Sequence, residues 1–299
     1  MSKGKWNHSN IPSQKGKVVL ITGATSGLGK EAVKVLAAKG ATIIAAVRNT
    51  EKAQKVVEEI KKMVPNANID IQKLDLVSLD SIKTFAEAIS STYDRLDLLI
   101  NNAGVMACPF SKTKDGFEIQ MGVNHLGHFA LTGRLMPLLK KTKDARIVVT
   151  ASVAHKQGNI DFEDLNWQKR DYKTMSAYAD SKLANLYFAY ELARKLEGEA
   201  NAPMVLSSHP GWTKTELDRH SGLISFMGDL MAQTVEMGTL PSLRAAVDDK
   251  AKTGNYYGPA NFFEMRGYPV VVKSNKLSHD KAKAQRLWEL SEALTGVKY

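Results

Sequence analysis

The chain has 299 residues, 43% of them hydrophobic and 24% charged, which suits one large α/β domain with a full core better than a two-domain split. A single cysteine, Cys108, excludes an internal disulfide, and His125 and His128, spaced i, i+3, have no third ligand at suitable spacing, so no metal site is expected. The net charge of +10 does not imply nucleic acid as a partner: residues 1–17 hold four lysines and no acid, residues 273–299 hold six basic and three acidic side chains, and the body has no basic stripe interleaved with aromatics.

Residues 1–16 read as a solvated basic tail without the apolar core of a secretory signal or anchor. No later stretch reaches the roughly 18 apolar residues of a spanning helix, so a cytoplasmic protein without an integral membrane segment is expected. From residue 17 to 299 one domain is expected, because no repeat or Pro/Gly/Ser-rich linker divides it. Apolar runs at 18–21, 42–47, 98–100, 147–149 and 204–206 are unbroken, not alternating, as in parallel strands covered on both faces; 69–73 is a shorter, alternating candidate. Between them lie helical patterns such as Leu28, Ala32, Val35 and Leu36, closed by Gly40, and Val56, Val57 and Ile60, closed before Pro65. The alternation predicts a Rossmann-type doubly wound parallel sheet of about seven strands in a three-layer α/β/α arrangement, with ligands at the carboxyl ends of the strands. Segments 153–175 and 212–240 break the pattern and read as loops over a substrate site or as helices covering the core.

The run Thr22-Gly23-Ala24-Thr25-Ser26-Gly27-Leu28-Gly29 follows the first strand and opens the first helix. Its glycines permit a tight turn and close approach to a pyrophosphate, which the helix amino end attracts. A nucleotide-triphosphate loop is excluded, because Ala24 stands where that motif needs Gly and Glu31 where it needs Ser or Thr. At the end of the second strand, where an acidic residue would bond the ribose hydroxyl of NAD, the chain has Arg48-Asn49. A guanidinium there matches a 2'-phosphate, so NADP(H) is expected over NAD(H). Tyr178 and Lys182 lie four residues apart on a helical pattern and leave one face, where a neighbouring ammonium favours the phenolate.

With these features the chain resembles the short-chain dehydrogenase/reductase family over most of residues 17–260. The supporting stretches are the glycine run, Asp75, Asn101-Asn102-Ala103-Gly104, Asn124, Ser152, Tyr178 with Lys182, and His209-Pro210-Gly211. The runs Val123-Asn124-His125-Leu126-Gly127-His128-Phe129 and Ser181-Lys182-Leu183-Ala184-Asn185 are most similar to the retinol-dehydrogenase-like branch. The resemblance implies Tyr178 as general acid/base, Lys182 tuning it and bonding the nicotinamide ribose, Ser152 polarising the substrate oxygen, and Asn124 holding a water that returns protons. It also implies Asp75 and Leu76 at the adenine, Asn102, Ala103 and Gly104 along the dinucleotide, and Thr150, Pro210, Gly211 and Thr213 around the nicotinamide.

A small-molecule carbonyl or alcohol is the expected substrate. Its walls are expected from Met106, Ser152, Val153, His155, Trp167, Trp212, Leu217, Phe226, Met227 and Met231, mostly apolar and suited to a hydrophobic molecule. A C=C reductase similar to protochlorophyllide reductase and a non-catalytic NADP-binding sensor stand as alternatives. The helical pattern 177–196 is apolar nearly all round in its first half. Either a second copy, in a homo-oligomer, or this chain's own segment 255–299 is expected to cover it.

Overall fold

The computed structural model describes residues 5–213 and 232–299. Five apolar runs form the strands β1 (Val18–Thr22), β2 (Thr42–Val47), β4 (Leu98–Asn101), β5 (Arg146–Thr150) and β6 (Met204–Ser208), and the alternating run forms β3 (Asn68–Lys73). β7 (Tyr256–Asn261) and β8 (Arg266–Val272) complete one eight-stranded sheet in the order β3-β2-β1-β4-β5-β6-β7-β8. Every pairing is parallel except β7 with β8, which form an antiparallel hairpin. The buried residues of β1, β2, β4, β5 and β6 explain their unbroken apolar runs, whereas edge strand β3 carries no fully buried residue and alternates.

Helices cover both faces. On one lie α1 (Gly27–Ala38), α2 (Thr50–Met63) and α7 (Val235–Val247), whose Leu36, Ile60 and Leu243 pack on Val19 and Ile43. On the other lie α3 (Leu79–Thr92), α5 (Gly127–Lys141), α6 (Thr174–Lys195) and α8 (Lys281–Thr295), which bring Phe85, Phe129, Phe188 and Trp288 onto Leu20 and Ile147. A short helix, α4 (Ile119–Met121), runs through the π-helical turn Gly122–Leu126 into α5. The strand order reverses between β1 and its two neighbours β2 and β4, which opens a crevice at the carboxyl ends.

Both ends of the chain dock more closely than their charge suggests. Residues 5–16 are not a free tail, since Trp6 and Ile11 join the core beside α7 and Gln14 donates its N–H to the Lys39 carbonyl. At the other end α8 lies along α6. The ring of Trp288 sits 5.1 Å from Phe129 and 4.6 Å from Tyr299 between ring centres. The Tyr299 hydroxyl donates to the Phe129 carbonyl at 2.7 Å. The second apolar face of α6 is therefore covered by this chain's own C-terminal segment. Among the described residues no helix is long and apolar enough to cross a membrane.

Trp288 is 3% exposed, so truncation to alanine leaves a cavity between α5, α6 and α8. Trp288→Ala is expected to cost about 3–5 kcal/mol in urea unfolding. A loss below about 1 kcal/mol would mean that α8 rests on the core without holding it.

Candidate active site

The end of β1 and the segment after β4 are joined by Thr22. Its hydroxyl oxygen accepts the N–H groups of Asn102 and Ala103, both at 2.9 Å, and its carbonyl accepts the Asn102 side-chain amide at 2.8 Å. His128, 2% exposed, lies 2.9 Å from the same hydroxyl through Nε2, and its Nδ1 faces the Asn124 carbonyl at 3.1 Å. A carbonyl only accepts, so Nδ1 carries the proton. Burial pushes the imidazole down to about 4, leaving Nε2 free to accept the Thr22 hydroxyl proton.

Beside it, Gly23 turns with φ +70°, and a β-carbon on Gly29 would meet the Gly23 carbonyl oxygen at 2.1 Å. Only glycines let the backbone fold this tightly at the amino end of α1. Ser26, at the cap position of α1, makes no capping hydrogen bond with its side chain, so the first amides of that helix remain for an anion. The helix after β2 differs: Asn49 accepts the Lys52 N–H at 2.8 Å and caps α2.

A cavity of about 530 Å³ extends from this cradle. Of the expected cofactor residues, Gly23, Thr25, Ser26, Gly27, Leu28, Gly29, Arg48, Asn49, Asp75, Leu76, Asn102, Ala103, Gly104, Thr150, Tyr178, Lys182 and Pro210 line it. Gly211 and Thr213 do not. Gly211 lies under Met265, and Thr213 donates to the Pro210 carbonyl at 2.9 Å. The buried Thr150 hydroxyl on the cavity wall has no protein partner. The tight glycine cradle, the uncapped α1 amides, two cationic side chains at one end and this unmatched hydroxyl together fit a phosphorylated dinucleotide.

Tyr178 and Lys182 sit one turn apart on α6, both on the cavity wall. The ammonium lies 5.6 Å from the Tyr178 ring centre and donates to the Thr150 carbonyl at 3.3 Å. Burial alone pushes it down to about 8 from the ordinary 10.5. Asn124, in the π-helical turn, is not on the cavity wall. Its side chain accepts the Val105 N–H at 2.8 Å, donates to the Val105 carbonyl at 2.9 Å and bonds Ser181 on α6. Ser152 follows β5 and accepts the Ala154 N–H at 3.2 Å, at the head of the 3-10 turn Val153–Gln157.

Of the expected substrate contacts, Met106 lines the cavity, whereas Ser152, Val153, His155, Trp167 and Trp212 do not. His155 is fully buried, with Nδ1 donating to the Ser152 carbonyl at 2.6 Å and Nε2 accepting the Asn275 N–H at 3.2 Å. Burial pushes it down to about 4, so it ties the β5 loop to the C-terminal segment. Trp212 donates its N–H to the Met265 carbonyl, and Trp167 stacks under Arg170 at 3.7 Å. Leu217, Phe226, Met227 and Met231 lie outside the described residues. Residues 213 and 233 do meet, in a parallel bridge.

Several contributors were not anticipated. Lys52, in the first turn of α2, joins Arg48 on the wall, and Cys108 joins Met106. Behind them Gln120, fully buried, accepts the Ala107 N–H at 2.9 Å and donates to the Tyr172 hydroxyl and the Thr174 carbonyl, both at 2.8 Å. Tyr172 in turn donates to the buried Glu118 carboxylate at 2.8 Å, whose pKa burial raises. One amide thus fixes the Met106 to Cys108 wall, where Ala107 has φ +51°, to the start of the helix that carries Tyr178. Asp180 anchors the 153–175 segment to that helix through the Asn159 N–H at 2.7 Å, with Arg170 at 3.8 Å.

Comparison with known proteins identifies the family. The family model for short chain dehydrogenase matches residues 17–222. Human retinol dehydrogenase 13 is 40% identical over 293 residues, covering 94% of this chain and 85% of that protein. The crystal structure of an uncharacterized protein from Mycobacterium paratuberculosis superposes with a TM-score of 0.84 at 38% identity, covering 99% of each chain. A short chain dehydrogenase from Shigella flexneri, solved in complex with NADP, gives a TM-score of 0.66 at 27% identity over 83% of this chain and 98% of its own. The chain belongs to the short-chain dehydrogenase family of oxidoreductases, in its retinol-dehydrogenase-like branch.

Proposed function

We propose that this protein is an NADP(H)-dependent oxidoreductase that interconverts a carbonyl and an alcohol on a hydrophobic small molecule, with Tyr178 as general acid/base. The observation that carries the reading is that one cavity is lined both by Tyr178 and Lys182, beside the end of β5, and by Arg48 and Lys52, which follow β2. When bound, NADP(H) supplies or accepts the hydride. The glycine cradle and the α1 amides hold its pyrophosphate. Arg48 and Lys52 meet the 2'-phosphate, with Asn49 fixing the first turn of α2 that presents Lys52. Asp75 and Leu76 flank the adenine.

Tyr178 gives its hydroxyl proton to the substrate oxygen during reduction and takes it back during oxidation. Lys182 is the charge that makes this feasible: in a buried site an ammonium stabilises a nearby phenolate far more than it would in water. Ser152 orients the substrate oxygen as a neutral donor, and Asn124 keeps Gly104 and Val105 beside Lys182. Met106 and Cys108 form an apolar wall that favours a hydrophobic substrate.

Tyr178→Phe is expected to lower turnover about 10²- to 10⁴-fold while cofactor binding is retained; turnover equal to wild type would remove Tyr178 from the reaction. In titrations followed by nicotinamide fluorescence, NADPH is expected to bind more tightly than NADH. Arg48→Ala is expected to weaken NADPH about 10- to 100-fold with little effect on NADH, in line with loss of one charged hydrogen-bonding group. Equal affinity for the two cofactors in the wild type would overturn the assignment.

The buried ammonium also predicts a stability difference. At Thr150 the carbonyl keeps its bond from Asn185 at 2.9 Å if Lys182 is removed, so Lys182→Met leaves no orphan acceptor. The variant is expected to be about 1–3 kcal/mol more stable than wild type at pH 7. Because the folded pKa is lowered, the wild-type penalty is fully present below about 8 and fades as pH rises toward 10.5. The advantage should therefore shrink between those values in urea unfolding. A less stable variant at pH 7 would contradict the account.

A further inference from the structure

The turn between β7 and β8 is built from three consecutive residues in the left-handed region, Phe262 (φ +51°), Phe263 (φ +53°) and Glu264 (φ +67°). Bulky residues rarely adopt this conformation even singly, and a run of three persists only where its surroundings enforce it. Here they do. The Met265 N–H reaches both the Asn261 carbonyl at 3.1 Å and the Phe262 carbonyl at 3.0 Å, and the Met265 carbonyl accepts the Trp212 N–H at 2.7 Å. Glu264 bonds His209 at 3.1 Å and Lys156 at 3.2 Å.

Nothing in this framework buries the two aromatic rings, since Phe263 is 96% and Phe262 56% exposed. The strained turn holds them outward. Its one acid, Glu264, has its charge matched by Lys156, whereas Arg266 lies 4.3 Å from the Phe262 ring centre. The outer tip therefore combines two apolar rings with a cation, on a chain of net charge +10.

We propose that this tip is a docking element for an anionic lipid bilayer, with Phe262 and Phe263 seated in the interfacial layer and Arg266 against the headgroups. Two phenyl rings expose roughly 300 Å², well short of the roughly 800 Å² per partner of a stable protein interface. A bilayer needs no matching surface, and aromatic rings beside basic residues partition into its interface. The tip also adjoins, through Trp212 and Lys156, the loops after β6 and β5, so an apolar solute leaving the bilayer would arrive beside Ser152. The proposal stands independently of the cofactor and of the role of Tyr178.

The test is co-sedimentation of the full-length protein with vesicles of phosphatidylcholine alone and of phosphatidylcholine mixed with phosphatidylserine. Phe262→Asn/Phe263→Asn is the variant of choice, because asparagine tolerates left-handed φ and the turn is retained; an unchanged thermal midpoint checks this. The wild type should pellet with the mixed vesicles, the double variant should bind them at least about tenfold more weakly, and Arg266→Gln should lose binding on the mixed vesicles only. Absence of wild-type binding would overturn the proposal, as would equal binding by the double variant, which would assign adsorption to the basic termini. Self-association of the wild type that the double variant abolishes, without vesicle binding, would also overturn it.

Discussion

The rest of the site depends on one junction, the hydroxyl of Thr22 held between two backbone amides and an imidazole. Parallel strands β1 and β4 must part at their carboxyl ends to open a crevice, and parting leaves amides without ladder partners. Thr22 takes up the N–H groups of Asn102 and Ala103 and donates its own O–H to His128. The arrangement works only with an uncharged ring, which burial ensures. It sets the position of Gly104, and Asn124 carries that position on to Val105 and Ser181. The cradle, the wall after β4 and the helix bearing Tyr178 are thus placed relative to a single side chain.

Around this frame the charges divide by solvent access. Arg48 is exposed, so its charge costs little to hold on the cavity wall. Lys182 is buried with one hydrogen bond to a carbonyl and, among the described residues, no carboxylate paired with it, an arrangement that folding alone would not favour. Glu118 shows the opposite solution. It is buried too, but two backbone amides and the Tyr172 hydroxyl satisfy it, and it supports the wall from behind. A buried charge given every partner supports a structural network, and one left with a single hydrogen bond on a cavity wall is the pattern expected of a reacting site.

How much of this was legible in the sequence varies with how local the signal is. The parallel strands were readable because burial on both faces makes unbroken apolar runs, and the glycine run because only glycine fits where Gly29 meets the Gly23 carbonyl. Tyr178 and Lys182 were readable because i, i+4 spacing on one helix fixes a shared face. β7 was not anticipated, because Gly258 and Pro259 weaken its strand signal, yet beside the hairpin the strand tolerates them. His155 looked available as a loop residue, and only the return of Asn275 from the far end of the chain buries it. Gln120 carries no local signal at all, since its three partners come from segments 13 to 54 residues away. Trp6 was obscured by the lysines around it, although a single large ring suffices to dock a segment.

Four imidazoles, those of His125, His128, His155 and His209, are held below their ordinary range by burial. Each remains neutral in the folded chain at acidities where the unfolded chain would protonate it. As pH falls below about 6.5 the unfolded state binds more protons at these positions, so the native state loses ground with each. Asp180, raised to about 6 by burial, and Glu118 act in the opposite sense, whereas Glu264 and Asp248, held low against burial by His209 and Lys156 and by Arg244, add to the imidazoles' effect at lower pH. The packing that keeps the Thr22 proton directed at His128 thereby also gives the molecule an acid limit that begins at its buried histidines.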